Sequence, residues 1–226
     1  DGAEAYQEDA ELSRGLGDFD WLFHGRELYH YSPMRIFRKG PGPHALPLAV
    51  VGLRLGNRFL DVGARQGALF AEMAGKVGLT GHACAVVGSE PDAVRVKAAA
   101  ARAGVLADVE VTAWPGLPVG DASFDVAVVD NTDGLLASLG ETVRAHLAEE
   151  VLRALRPGGR ALVLDRQPRG VLAALAGRGA ASWPPAASVA AWLTSAGFRP
   201  VRLLAEREGQ RFTEGWKLAG PQGSAG

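Results

Sequence analysis

Short apolar runs alternate with longer segments of helical periodicity from Arg58 to the end of the chain. Apolar residues that recur every three or four positions predict amphipathic helices, whereas short continuous apolar runs predict strands buried on both faces. This alternation is typical of βα units that stack into a parallel sheet. The predicted strands are Phe59–Gly63, His82–Gly88, Val109–Ala113, Phe124–Asp130 and Arg160–Asp165, and the predicted helices are Gly67–Val77, Asp92–Ala103, Glu141–Leu155 and Ala186–Ala196.

The last two apolar runs predict a different connection. Phe198–Ala205 and Arg211–Leu218 are separated only by a short polar turn that contains Glu208 and Gly209, which indicates an antiparallel hairpin. We therefore predict an α/β fold, with a doubly wound, mostly parallel, seven-stranded sheet, a C-terminal antiparallel hairpin and helices on both faces.

The N-terminal quarter has another character. Residues 20–38 are rich in aromatic side chains and end at the breaker Lys39–Pro43, after which His44–Leu55 has helical spacing. We predict an N-terminal arm with helices over residues 1–57, on the substrate side, and a core over residues 58–219. The Gly-, Pro- and Ser-rich residues 220–226 are predicted to form a disordered tail.

Composition narrows the class of protein. The 226 residues are 47% hydrophobic, which suits one domain with one sizeable core. A formal charge of −1 gives no net attraction to nucleic acid, so a nucleic-acid substrate is disfavoured. No apolar run approaches the roughly 20 residues of a membrane-spanning helix, and the lone Cys84 suits a reducing compartment. We expect a soluble, cytoplasmic protein.

The turn after the first strand carries the first candidate site. Asp61 is followed by Gly63 and Gly67, with Arg65 at the position between them. Such a turn lets the backbone approach a ligand closely and leaves a carboxylate to face a cation. Phe59–Gly67 resembles the first motif of the class I S-adenosylmethionine-dependent methyltransferases, a Rossmann-like family in which an acid and three alternating glycines bind the methionine part of the cofactor. Arg65 replaces the middle glycine, and either swings out to solvent or obstructs the pocket.

Two further segments extend this resemblance. Glu90, which follows the second strand, corresponds to the family's acceptor for both ribose hydroxyls; a solvated acid before a helix is the alternative. After the third strand, Ala113 fills the place of an acid that normally recognises the adenine amino group. The adjacent Trp114 either stacks on the adenine or caps the core. Asp121–Asp125 and Val151–Asp165 also match the family, but these matches support the fold more than the chemistry.

Candidates for catalysis follow the fourth strand and lie in the arm. Asp130, and alternatively Asp133, is placed to act as a general base at the carboxyl end of the sheet, and Asp133 is equally suited to cap a helix. In the arm, His30 and Tyr31 are candidate substrate-facing groups or bases, although packing of the arm is the alternative. The two acids Asp130 and Asp133 also permit a divalent metal, as in the catechol-type branch of the family. That branch uses an Asp-Asn pair after the fifth strand, whereas here Asp165 is followed by Arg166, so no metal site is predicted. The lid is expected from the arm and from residues 167–187.

The resemblance implies S-adenosylmethionine as the cofactor and a small molecule as the methyl acceptor. Because Arg65 and Ala113 both depart from the family's pattern, the alternative is an inactive methyltransferase-like domain that acts as a partner subunit or scaffold, in a homodimer or with a different chain. An NAD-linked oxidoreductase is disfavoured, since the glycine spacing does not fit the dinucleotide-binding pattern.

Overall fold

The computed structural model describes residues 42–65, 67–166 and 186–219. The predictions for the aromatic arm with His30 and Tyr31, for residues 167–185 of the lid predicted over residues 167–187, and for the tail after residue 219 therefore lie outside the described residues. The domain boundary at residue 57 stays a prediction. None of the helices in the described ranges has the length and hydrophobicity needed to cross a bilayer.

A single seven-stranded sheet organises the described residues, with the strand order β3-β2-β1-β4-β5-β7-β6. Strands β1 to β5 are parallel, whereas β7 runs antiparallel to both β5 and β6. The predicted mostly parallel sheet with a terminal hairpin is thus confirmed. The strands are β1 (Arg58–Val62), β2 (His82–Val87), β3 (Asp108–Val111), β4 (Phe124–Asn131), β5 (Leu155–Arg166), β6 (Val201–Arg207) and β7 (Gln210–Trp216).

The helices differ from the predicted ones mainly at their ends. They are α1 (Ala45–Val51), α2 (Ala68–Val77), α3 (Glu90–Ala103), α4 (Leu135–Ser138), α5 (Glu141–Ala154) and α6 (Ala186–Ser195). The first helix is shorter than the predicted His44–Leu55, because Gly52 adopts a left-handed conformation with φ 58° and its N–H bonds to Leu48 O. Strand β5 begins at Leu155 instead of Arg160, since Leu155 already pairs with Phe124.

The sheet is covered on both faces by apolar side chains. Along β1, Leu60 and Val62 pack with α4, α5 and α6, whereas Phe59 packs on the other face with α1, α2 and α3. Each such large side chain contributes about 1.5–3 kcal/mol when it is fully buried. Because both faces are occupied, the carboxyl ends of the central strands remain as the edge on which a ligand site can form.

Candidate functional site

Asp61 lies at the carboxyl end of β1 and is only 1% exposed. Its Oδ1 has no hydrogen-bond partner among the described residues. Burial, and then the nearby charge of Asp130, raise the pKa of this carboxyl well above its usual range. A buried carboxylate is costly unless a cation or donors accompany it. This side chain therefore fits the ammonium of a bound amino-acid moiety.

Gly63 and Gly67 form the turn that follows Asp61, and both have positive φ, 96° and 72° respectively. A Cβ at Gly63 would lie 2.8 Å from Leu135 Cδ2, and one at Gly67 would lie 2.9 Å from Val96 Cα. Both glycines are thus required by the backbone conformation and by the close packing of neighbouring segments. The turn is held tightly between α3 and the segment that follows β4.

Arg65 occupies the position between Gly63 and Gly67, and its side chain lies near the start of α3. Its side chain is half-exposed, and its Nε lies 3.8 Å from Asp92 Oδ1 near the start of α3. Its backbone oxygen accepts a hydrogen bond of 3.2 Å from Arg95 Nε. Arg95 also pairs with Asp92, which in turn accepts a bond of 2.6 Å from Ser89 Oγ. The side chain of Arg65, which stands where the family has its middle glycine, is therefore directed toward α3.

Glu90 is the first residue of α3 and is exposed. Ser89 caps this helix by accepting a bond from Asp92 N at 3.4 Å. No described residue donates a hydrogen bond to the Glu90 carboxylate or forms an ion pair with it, so this carboxylate is available to a ligand. The prediction that Glu90 accepts bonds from a ribose stays a prediction.

Trp114 packs against the core from the loop after β3, and it is partly buried. The indole lies against the turn between β2 and α3: a Cβ at Gly88 would lie 2.8 Å from Trp114 Nε1, so a side chain there would displace the indole. The side chain therefore packs on the core, and it also lies close to the turn that carries Glu90. Ala113 is exposed and offers no carboxylate at the position where the family has one.

Asp130 lies at the carboxyl end of β4, where Thr132 donates two bonds to its Oδ1: from the backbone N at 3.0 Å and from Oγ1 at 2.5 Å. Burial raises the pKa of Asp130, and these bonds only partly offset that rise. Asp133 is exposed, and Gly134 rather than Asp133 caps α4, so the predicted cap at Asp133 is wrong. Gly134 has a left-handed backbone conformation with φ 77°, which glycine adopts more readily than aspartate, so glycine suits this cap position.

A buried polar network at the same edge was not predicted. Asn131 Nδ2 donates to Asp165 Oδ1 at 2.5 Å, and Arg211 Nη2 donates to Asp165 Oδ2 at 3.2 Å. Asn131 Oδ1 also accepts a bond of 2.7 Å from Leu136 N. Burial raises the pKa of Asp165, while Asn131 and Arg211 oppose that rise. The sequence shows an acid near the end of β4 and of β5, but the arginine partner of Asp165 comes from the distant hairpin.

A pocket opens beside Asp130 at the carboxyl ends of β4 and β5. Its walls come from α1, α2, β4, β5 and β7. One residue of the wall is His44, whose Nδ1 lies 2.8 Å from Glu72 Oε1. Sequence reasoning missed His44, because the residue is the first of a predicted helix and carries no motif. Within the described ranges, His, Cys, Asp and Glu side chains form no group of three suited to a metal ion. The lining residues are His44, Pro47, Leu69, Asp130, Thr132, Leu164, Asp165, Arg166, Gln210 and Phe212.

Comparison with known proteins identifies the class to which these features belong. The profile of a family described as "Methyltransferase domain" matches residues 59–159. Residues 59–159, just under half of the chain, are thus similar to the methyltransferase-domain family, and the described residues have the fold of the class I S-adenosylmethionine-dependent methyltransferases. S-adenosylmethionine is accordingly the cofactor indicated by family and fold.

Solved structures give the same fold at low sequence identity. A methyltransferase from Aquifex aeolicus is 20% identical with a TM-score of 0.62, over 79% of this chain and 95% of that one. One from Methanosarcina mazei is 19% identical with a TM-score of 0.57, over 77% and 98%. The [4+2]-cyclase SpnF is 18% identical with a TM-score of 0.58, over 76% and 78%. A search of curated proteins gives no match.

Proposed function

We propose that this chain transfers the methyl group of S-adenosylmethionine to a small-molecule acceptor. The observation that carries the proposal is the buried carboxylate of Asp61, whose Oδ1 lacks a partner among the described residues. An ammonium group would supply the missing positive charge. The Glu90 carboxylate, exposed at the end of the next turn, is a second anionic group suited to the ribose hydroxyls.

The remaining residues have supporting roles in this proposal. The turn of Gly63 and Gly67 lies beside the methionine part, and Trp114 covers the adenine. When bound, the cofactor supplies an activated methyl group on a sulfonium. The chain orients the acceptor in the pocket beside Asp130 and excludes water, since methyl transfer needs few obligatory catalytic groups. A small acceptor suits the near-zero net charge, which gives no general attraction to nucleic acid.

The proposal is tested in two steps. Isothermal titration calorimetry with S-adenosylmethionine and S-adenosylhomocysteine measures cofactor binding. Transfer of a labelled methyl group to a panel of phenols, carboxylic acids and amines then measures activity. Binding followed by label transfer supports the proposal. Absence of binding at about millimolar ligand, a free energy weaker than about −4 kcal/mol, overturns it if circular dichroism shows a folded protein.

An inactive domain that serves as a partner subunit is the second candidate. It is favoured by Ala113, which brings no carboxylate to the adenine side of the site. The cyclase among the structural neighbours also illustrates that this fold hosts other chemistry. The orientation of Arg65 toward Asp92 argues against a blocked cofactor site, so we favour the enzyme.

A further inference from the structure

His44 lines the pocket beside Asp130 and contacts Glu72 on α2. His44 precedes α1, yet its side chain makes no capping hydrogen bond to that helix. Its Nδ1 instead lies 2.8 Å from Glu72 Oε1 on α2, and the imidazole is 25% exposed. The ring is therefore held by α2 while it forms part of the pocket wall.

This contact determines which ring nitrogen is available for chemistry. When Nδ1 donates its hydrogen to a carboxylate, the neutral imidazole keeps its lone pair on Nε2. The two nitrogens lie on different sides of the ring, so Nε2 is directed away from Glu72. A carboxylate at Nδ1 also stabilises the imidazolium that forms once Nε2 accepts a proton. The pair thus has the properties of a proton acceptor.

The other residues that line the pocket indicate which kind of proton-donating ligand would bind there. Its apolar wall consists of Pro47, Leu69, Leu164 and Phe212. Gln210 contributes an amide Oε1 that is buried and accepts no hydrogen bond from a described residue. An apolar body that carries a hydrogen-bond donor matches this lining, and a phenol has both features.

Charged groups from each neighbouring element surround the imidazole. Glu72 on α2 contacts the ring, and Asp130 on β4 and Arg166 on β5 line the same pocket. Asp165, also on β5, is already paired with Arg211 from β7.

We propose that His44, positioned by Glu72, accepts the proton of a phenol-type hydroxyl on the methyl acceptor. In this step the O–H bond breaks, the proton bonds to Nε2, and the electron pair stays on oxygen as a phenolate beside the imidazolium. The inference rests on the proposed function, because that function makes this pocket the acceptor site.

The test uses 4-nitrophenol, whose neutral and anionic forms absorb at different wavelengths. The probe is titrated with the protein at about pH 6, with and without S-adenosylhomocysteine, and the ratio of anion to neutral form is read by absorption spectroscopy. We expect binding to raise this ratio about tenfold, which corresponds to one pKa unit. In His44→Gln the bound probe should keep the ratio of free solution, and Glu72→Gln should give an intermediate ratio.

His82→Gln is the matched control. His82 Nε2 forms a similar contact, 2.7 Å, with Asp108 Oδ2, but at the opposite end of the sheet from the pocket. This variant should ionise the probe like the parent protein. Circular dichroism verifies that each variant folds, and Glu72→Gln carries the test if His44→Gln does not.

Two results would overturn the inference: absence of probe binding to the folded parent protein, or equal ionisation in the parent and in His44→Gln. The affinity for S-adenosylhomocysteine is measured on the same samples. It distinguishes failure of the role of His44 from failure of the proposed function. Binding of S-adenosylhomocysteine without ionisation of the probe refutes only the role of His44. Loss of S-adenosylhomocysteine binding refutes the function itself.

Discussion

Replacement of Asp61 by asparagine should stabilise the ligand-free protein and weaken its binding of S-adenosylmethionine. The carboxylate is 1% exposed, and its Oδ1 has no partner among the described residues. An unpaired buried charge costs several kcal/mol, whereas an amide with one unsatisfied group costs about 1–3 kcal/mol. We expect a net gain in the free energy of unfolding of about 1–3 kcal/mol, with a rise in Tm of about 2–4 °C for each kcal/mol.

This gain should depend on pH. Because the pKa of Asp61 is raised in the folded state, the native protein binds more protons than the unfolded chain, and its stability falls as pH rises through that pKa. Asparagine removes this loss. The difference in Tm between Asp61→Asn and the parent should therefore grow as pH increases from about 4, the ordinary value for an aspartate.

Ligand binding should change in the opposite direction. Loss of a charge-assisted bond to the ammonium costs about 1.5–3 kcal/mol, so the Kd measured by calorimetry should rise about ten- to a hundredfold. Asp125→Asn is the matched control: Asp125 is also buried, but it lies at the far end of the sheet, accepts a hydrogen bond of 2.9 Å from Arg58 N and forms an ion pair with Arg156, whose Nε lies 2.8 Å from Asp125 Oδ1. It should lower stability and leave the Kd unchanged. A lower Tm in Asp61→Asn, together with an unchanged Kd, would refute this reasoning.

Three further substitutions test the site. Glu90→Ala should raise the Kd for S-adenosylhomocysteine about tenfold or more, as expected for loss of a charged acceptor; an unchanged Kd would mean that the ribose lies elsewhere. Arg65→Gly should change the Kd for S-adenosylhomocysteine by less than about threefold, under 1 kcal/mol, because the Arg65 side chain pairs with Asp92. A large decrease in this Kd would show that Arg65 obstructs the cofactor site. Gly67→Ala should lower the free energy of unfolding by about 1–3 kcal/mol in urea titrations, since its Cβ would lie 2.9 Å from Val96 Cα; equal stability would contradict the packing argument.

Local features of the chain were sufficient to predict the elements and their connections. The helix over Glu141–Ala154 and the hairpin of β6 and β7 agree with the predicted segments to within a few residues, because periodicity and turn residues act over short distances. The ends of α1 and the start of β5 were wrong. They depend on the left-handed Gly52 and on the pairing of Leu155 with Phe124, and neither is encoded in periodicity.

The candidate site divides in the same way. The sequence alone singled out Asp61, Gly63, Gly67 and Glu90, because a strand-end turn with an acid and glycines is a contiguous pattern. Only the tertiary structure brought His44 to Glu72, 28 positions away, and Arg211 to Asp165, 46 positions away. It also decided that Arg65 turns toward α3. Such choices depend on which elements pack together and on how much water remains around each charge, and no local stretch of sequence contains that information.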